Sequence, residues 1–239
     1  MTSLRILTAA GLTTVLLAGC GGSSAPAGGS AATPSKHSIA SPQSPAPKSL
    51  LAQIVLQASE LPGWTATPYQ DDPSTDQDQL ALLRCAGGRD TSSDKVADVN
   101  SSDFSLDQAT VSSDATSYRS QSDVDNDAAL LRSPKFASCF QTQVKQQLGK
   151  DLPAGTAIKS AKVTITPGAG GGPANVAATA AGVITVTTNG LTLAVYLNVA
   201  FITGPMIEAE VDAENVGSPV PATLRAKLVQ AVAARAARG

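Results

Sequence analysis

This 239-residue chain is short of the side chains that most often carry chemistry. It holds one histidine (His37), three cysteines and 3% aromatics, and 15% of its residues are charged. His37 sits in "PSKHSIASPQSPAPKS", where nothing can position an imidazole. Histidine acid–base catalysis, a Ser–His–Asp triad and zinc ligation through it are therefore excluded. Cys20, Cys85 and Cys139 form no Cys-x-x-Cys, which removes a redox dithiol and a cysteine zinc site. The net charge is −2, and losing Arg5 with the first nineteen residues makes it −3, so no basic excess recommends a nucleic-acid partner. With few aromatics, the core has to be built from small and β-branched side chains.

Hydrophobic length is also limited. Ile6 to Ala18, "ILTAAGLTTVLLA", is 13 uncharged residues. Crossing a bilayer takes about 20. One positive charge, a short apolar core and small residues at its end describe a secretory signal. Leu17-Ala18-Gly19-Cys20 resembles the lipobox of bacterial lipoproteins. That resemblance implies diacylglyceryl transfer to Cys20, cleavage after Gly19 and further acylation of the new amino terminus, palmitate being a typical chain. Two acyl chains anchor a protein stably where one does not. The alternative is an ordinary secretory signal ending near Ala18, with Cys20 left as a thiol.

Residues 1–19 are thus expected to be a signal peptide and residues 20–49 a lipidated Gly/Ser/Ala/Pro tether. Such a composition cannot offset its chain entropy, and as a coil it spans roughly 30 Å. Residues 50–239 suit one domain. With Cys20 removed from the count, Cys85 and Cys139 form an even pair outside the cytosol, where a disulfide persists. Two buried thiols are the alternative.

Within the domain, Leu50, Leu51, Ile54, Val55 and Ala58 follow helical spacing up to Pro62-Gly63. Trp64 to Tyr69 reads as a short strand, Asp71 to Gln79 as a polar loop and Asp90 to Asp103 as a polar stretch. Gln108 to Arg119 reads as a strand. A helix opens at Asp123 to Asp127, breaks or kinks at Pro134 and ends at Gly149. Ala157–Thr166, Val176–Thr188, Leu191–Ile202 and Met206–Val216 read as four strands, with Asn189-Gly190 a strong hairpin signal. A helix with Leu224, Leu228, Ala231 and Val232 on one stripe closes the chain. The fold class is α+β: a single domain with a twisted antiparallel sheet, a C-terminal four-stranded meander and helices packed on one face.

Four groups of residues invite a chemical reading. Asp123, Asp125 and Asp127 begin like a calcium loop, but Ala128 and Pro134 stand where an EF-hand needs Gly and Glu, so acids in a first helical turn explain them better. "GAGGG" at 168–172 joins strand to strand, unlike a phosphate cradle. Glu208, Glu210, Asp212 and Glu214 alternate with apolar residues and read as the wet face of a sheet; a glycosidase-like carboxylate pair is the alternative. Trp64, Tyr69, Phe104, Tyr118 and Tyr196 read as core, with a shared apolar pocket as the alternative. Charge is segregated: residues 70–127 carry 13 Asp against 4 basic groups, and residues 128–239 carry 10 basic groups against 5 acidic. That fits internal complementarity or an acidic surface facing a partner.

"ELPGWTATP", "DFSLDQATVSSDATSYRSQSDVDNDAALLRSPKFASCF" and "VYLNVAFITGPMIEAEVDAENVGSPVP" resemble extracytoplasmic lipoproteins of actinobacteria. More distantly, the layout is similar to the extracellular sensor domains of bacterial serine/threonine kinases. Those have two disulfides, whereas this chain can make one, and a kinase role is not carried over. The resemblance implies a cell-envelope lipoprotein on the extracytoplasmic face without a defined activity; the residues themselves name no catalytic, cofactor or metal site. The function expected is a membrane-anchored binding or accessory module for an envelope ligand or partner protein. A lipid carrier with an apolar cavity and a histidine-independent carboxylate hydrolase are the alternatives.

Overall fold

Period-two alternation along the last third of the chain builds the centre of the fold. A computed structural model describes residues 44–70, 73–151, 156–168, 172–188 and 190–239. The signal peptide, the lipobox, Cys20, His37 and most of the tether lie outside these residues. β5 (Thr156–Pro167), β6 (Val176–Thr188), β7 (Leu191–Gly204) and β8 (Ile207–Val216) form the expected antiparallel meander. Gly190 turns the β6–β7 hairpin with φ 79°, a conformation that side chains rarely adopt.

β4 (Ala109–Tyr118) pairs with β8 and extends the sheet. Its other edge is shared. β2 (Lys95–Asn100) takes the Asp114–Tyr118 half, and β3 (Asp103–Leu106) takes the Ala109–Val111 half. β1 (Thr65–Thr67) closes that side against β3. The sheet has eight strands in the order β1-β3-β4-β8-β7-β6-β5, with β2 beside β4. β2 and β3 lie in or beside the stretch read as merely polar. They are short edge strands in which Val96 and Leu106 are exposed while Ala97 and Phe104 are buried, so apolar character does not follow burial there and no clean alternation marks them.

The α+β class and the meander expected from the sequence are observed, but the helices pack on both faces of the sheet and not on one. α1 (Lys48–Ile54) and α5 (Ala222–Ala236) pack on a cluster that includes Ile207, Ala209, Val211 and Ala213 of β8. Packing begins at Ala46, ahead of α1. α2 (Pro73–Ala86), α3 (Gln121–Leu131) and α4 (Pro134–Asp151) share a second cluster with Leu197, Val199 and Phe201 of β7. β7 register pairs Ala200 with Val211 and Phe201 with Glu210, so the two clusters lie on opposite faces of the sheet. Phe136, Phe140 and Phe201 form the centre of the second cluster, with ring centroids 5.7–6.4 Å apart. Leu191 and Leu193 lie beyond the packed part of β7 and are exposed, although they share a face with Val195, Leu197, Val199 and Phe201.

Two expectations need correction. Residues 73–79 are not loop; they are the first half of α2, which starts at Pro73, where a missing N–H costs a helix nothing. The helical stripe from Asp123 onward breaks at Pro134 as expected: Ser133 caps a new helix by accepting from the Phe136 N–H at 3.1 Å, and Pro134 opens it. α4 then runs through Gly149 to Asp151. Cys85 and Cys139 are bridged, with Cα atoms 5.8 Å apart, so the disulfide joins α2 to α4. No helix among the described residues is long and apolar enough to cross a membrane.

Candidate functional site

The alternation in β8 separates two chemistries. Ile207, Ala209, Val211 and Ala213 enter the core beneath α5. The carboxylates between them face the other way, but that face is covered. Glu208, Glu210 and Asp212 are buried, Glu210 to 1% exposure, and Glu214 is half-buried. The expected wet face is therefore wrong. Alternation reports that two faces differ, not which of them is covered. Here α3, from a distant part of the sequence, packs beside β4 and β8.

Cross-strand register adds to this acidic face. Asp114 of β4 stands opposite Glu210, Thr116 opposite Glu208 and Ser112 opposite Asp212. The Tyr118 hydroxyl donates to Glu208 Oε2 at 3.1 Å. Burial is the largest influence on Glu208 and raises its pKa above the ordinary carboxylate range; the Asp127 charge acts in the same direction. Burial, then the Glu208 and Asp127 charges, push the Tyr118 phenol upward as well. Glu208 is thus biased toward its neutral form, and the phenol stays protonated to donate to it. Beside this group, Asp123 accepts from Arg89 and, at 2.8 Å, from the Ser120 hydroxyl. Arg89 also reaches Asp94 at 3.1 Å.

The calcium-like acids do not form a loop. Asp123 and Asp127 lie one turn apart on the buried side of α3, while Asp125 accepts from Gln121 at the exposed side at 3.0 Å. Among the described residues no group of three or more His, Cys, Asp or Glu is arranged to hold a metal ion.

A second feature lies on the opposite face. A pocket of about 460 Å³ opens between the first half of α5 and strands β6–β8. Its origin is compositional. Thr179, Ala181, Ala200 and Ala213 are too short to reach Ala222 and Ala226 of the helix. Arg225 lines the same space. Its Nη1 donates to Asn198 Oδ1 at 2.6 Å and its Nε to the Val220 carbonyl at 3.0 Å. Among the described residues Arg225 makes no ion pair. A cation in a helix's first turns opposes the helix dipole, so its place is not explained by helix stability.

The chain matches no protein-family model and no curated protein. Among solved structures it is similar to the extracellular domain of PknH from Mycobacterium tuberculosis, at 12% identity and a TM-score of 0.46, over 82% of this chain and 98% of that one.

The aromatic set named from the sequence is not brought together. Trp64 and Phe104 belong to the cluster under α1 and α5, Tyr118 lies buried on the acidic face, and Tyr69 and Tyr196 are half-buried elsewhere. The "GAGGG" stretch lies mostly outside the described residues, but it joins β5 to β6, as expected of a strand connection. Sequence reasoning missed Arg225 and Asn198. Asn198 interrupts the otherwise apolar run Val195–Ile202, and Arg225 is a cation at the wrong end of a helix. Those two anomalies were the available signal.

Proposed function

We propose that this protein is a lipid-anchored binding module of the cell envelope. In this reading Cys20 is the acylated residue, the chain from Cys20 to the start of packing at Ala46 is a spacer, and the α+β domain takes its ligand in the pocket beneath α5. The pocket is the observation that carries the binding assignment. Its volume falls within the few hundred to about a thousand Å³ typical of small-molecule sites, and apolar walls with a few polar groups are their usual lining. The lipobox supports the anchor. The Cys85–Cys139 disulfide supports an oxidising, extracytoplasmic location.

Two measurements test the two halves. Wild-type protein should enter a detergent phase and incorporate a clickable palmitate analogue, and Cys20→Ala should do neither. Equal partition and labelling of the two would overturn the anchor. Native mass spectrometry of protein purified from its membranes should show a small molecule that Ala226→Phe, which fills the pocket, no longer carries. A bound mass indifferent to that substitution, or none, would overturn the binding site.

A further inference from the structure

The pocket also indicates what it would hold. Resting on the reading of the domain as a binding module, we propose that its ligand is an aliphatic carboxylate, with the chain against the alanines of the sheet and the carboxylate on Arg225. The walls choose the tail. Ala181, Ala200 and Ala213 below and Ala226 above present methyl groups. A sugar would bring a ring of hydroxyls to a surface with few partners for them, and each unpartnered polar group is costly to bury.

Arg225 chooses the head. A guanidinium has five N–H donors in a rigid fork. The Val220 carbonyl and Asn198 Oδ1 accept from Nε and Nη1, which fixes the plane of the group, and Nη2 donates to no described residue. Asn198 is a neutral partner, so the positive charge is oriented without being cancelled. A pre-positioned fork beside an apolar wall suits a carboxylate, which accepts charge-assisted hydrogen bonds. One fixed positive charge balances a monoanion. A phosphate monoester would bring close to two negative charges, and the second would sit uncompensated against alanine.

Photolabelling of the full chain in its membranes tests this, using a diazirine-bearing dodecanoate, with dodecanoate and its methyl ester as competitors. Labels should fall on peptides containing Thr179–Ala181 and Ala222–Val229. Dodecanoate should compete and the methyl ester should not. Arg225→Met should weaken competition by dodecanoate roughly ten- to a hundredfold, the usual effect of losing hydrogen bonds to a charged group. Arg225→Lys should recover part of it, which a merely structural role for the side chain would not predict. Ala226→Phe should abolish labelling. If the ester competes equally, or Arg225→Met changes nothing while Ala226→Phe still blocks, the carboxylate assignment falls and the pocket stands. Labels elsewhere, no label, or indifference to Ala226→Phe would overturn the proposal entirely.

Discussion

Tyr118 and Glu208 meet on adjacent strands with the phenol donating to the carboxyl at 3.1 Å, both side chains buried. The contact couples folding to protonation. Burial raises the Glu208 pKa from its ordinary 4.5, so above that pH the folded chain holds a proton that the unfolded chain releases. Stability conferred by this group is therefore present below pH 4.5 and is lost as pH rises through the folded value. For one proton the slope reaches at most about 1.4 kcal/mol per pH unit. Glu208→Gln keeps an acceptor for Tyr118 and removes the titration. Its urea midpoint should exceed that of wild type at neutral pH, and the gap should close toward acid. A gap that widens toward acid would show that Glu208 is stabilised as an anion.

How far the sequence foretold this arrangement depended on where each segment packs. The β6–β7 hairpin was legible because Asn189-Gly190 and the flanking β-rich runs specify it locally. The disulfide was legible by counting. Ser112–Tyr118 of β4 was legible as strand, but its burial was not, because its polar side chains are covered by elements remote in sequence. For the same reason the Glu208–Asp212 row looked like a solvated face. Pro73–Gln79 looked like loop since its residues are polar, and α2 is held by its second half, where Leu82 and Ala86 are buried and Cys85 is bridged. The pocket was the least legible feature. It is a deficit of volume between α5 and the sheet, and deficits appear only once the partners are known.

The Cys85–Cys139 bridge should be the largest single contributor to stability. It closes a loop with a sequence separation of 54, for which the chain-entropy estimate is roughly 4 kcal/mol. Its ends differ: Cys139 is buried, while Cys85 is exposed on α2. Reductant should therefore reach the bond in the folded protein. Unfolding free energies from denaturant titrations with and without dithiothreitol should differ by about that amount, and Cys85→Ala/Cys139→Ala should match the reduced wild type. Equal midpoints would show that α2 and α4 are held by packing alone.

Gly204 should tolerate no side chain. It ends β7 where the last turn of α5 comes down on the sheet, and a Cβ there would lie 2.2 Å from the Ala236 carbonyl oxygen. The junction is tight because Asn175 ties it, donating to the Thr203 carbonyl at 2.9 Å and to the Ala233 carbonyl at 3.0 Å. The obstructing atom is backbone and cannot swing away. Gly204→Ala should destabilise by about 1–3 kcal/mol, the usual range for overpacking. Asn175→Ala, which loosens the same junction, should make the second substitution cost less in a double-mutant cycle. Strict additivity would show that the two positions are independent.

Arg235 ties α5 to the start of the domain, and its loss should be felt as pH-dependent destabilisation. Its Nε donates to the Ile54 carbonyl at 3.0 Å, and its Nη groups donate to the Val55 carbonyl at 3.2 Å and to Glu60 at 2.8 and 3.2 Å. Partial burial raises the Glu60 pKa, but the Arg235 hydrogen bonds and the Gln57 N–H outweigh it and hold the carboxyl below its ordinary 4.5. The sign is opposite to that of Glu208. The Glu60 contribution is present above pH 4.5 and is lost as pH falls through the folded value. Arg235→Met keeps the aliphatic stem and removes every donor, so it should cost on the order of 2 kcal/mol at neutral pH. The deficit should shrink in acid, where wild type loses the Glu60 part of the interaction, but it should not vanish, because the two carbonyls do not titrate. A deficit constant with pH would place all of Arg235's contribution in the bonds to Ile54 and Val55.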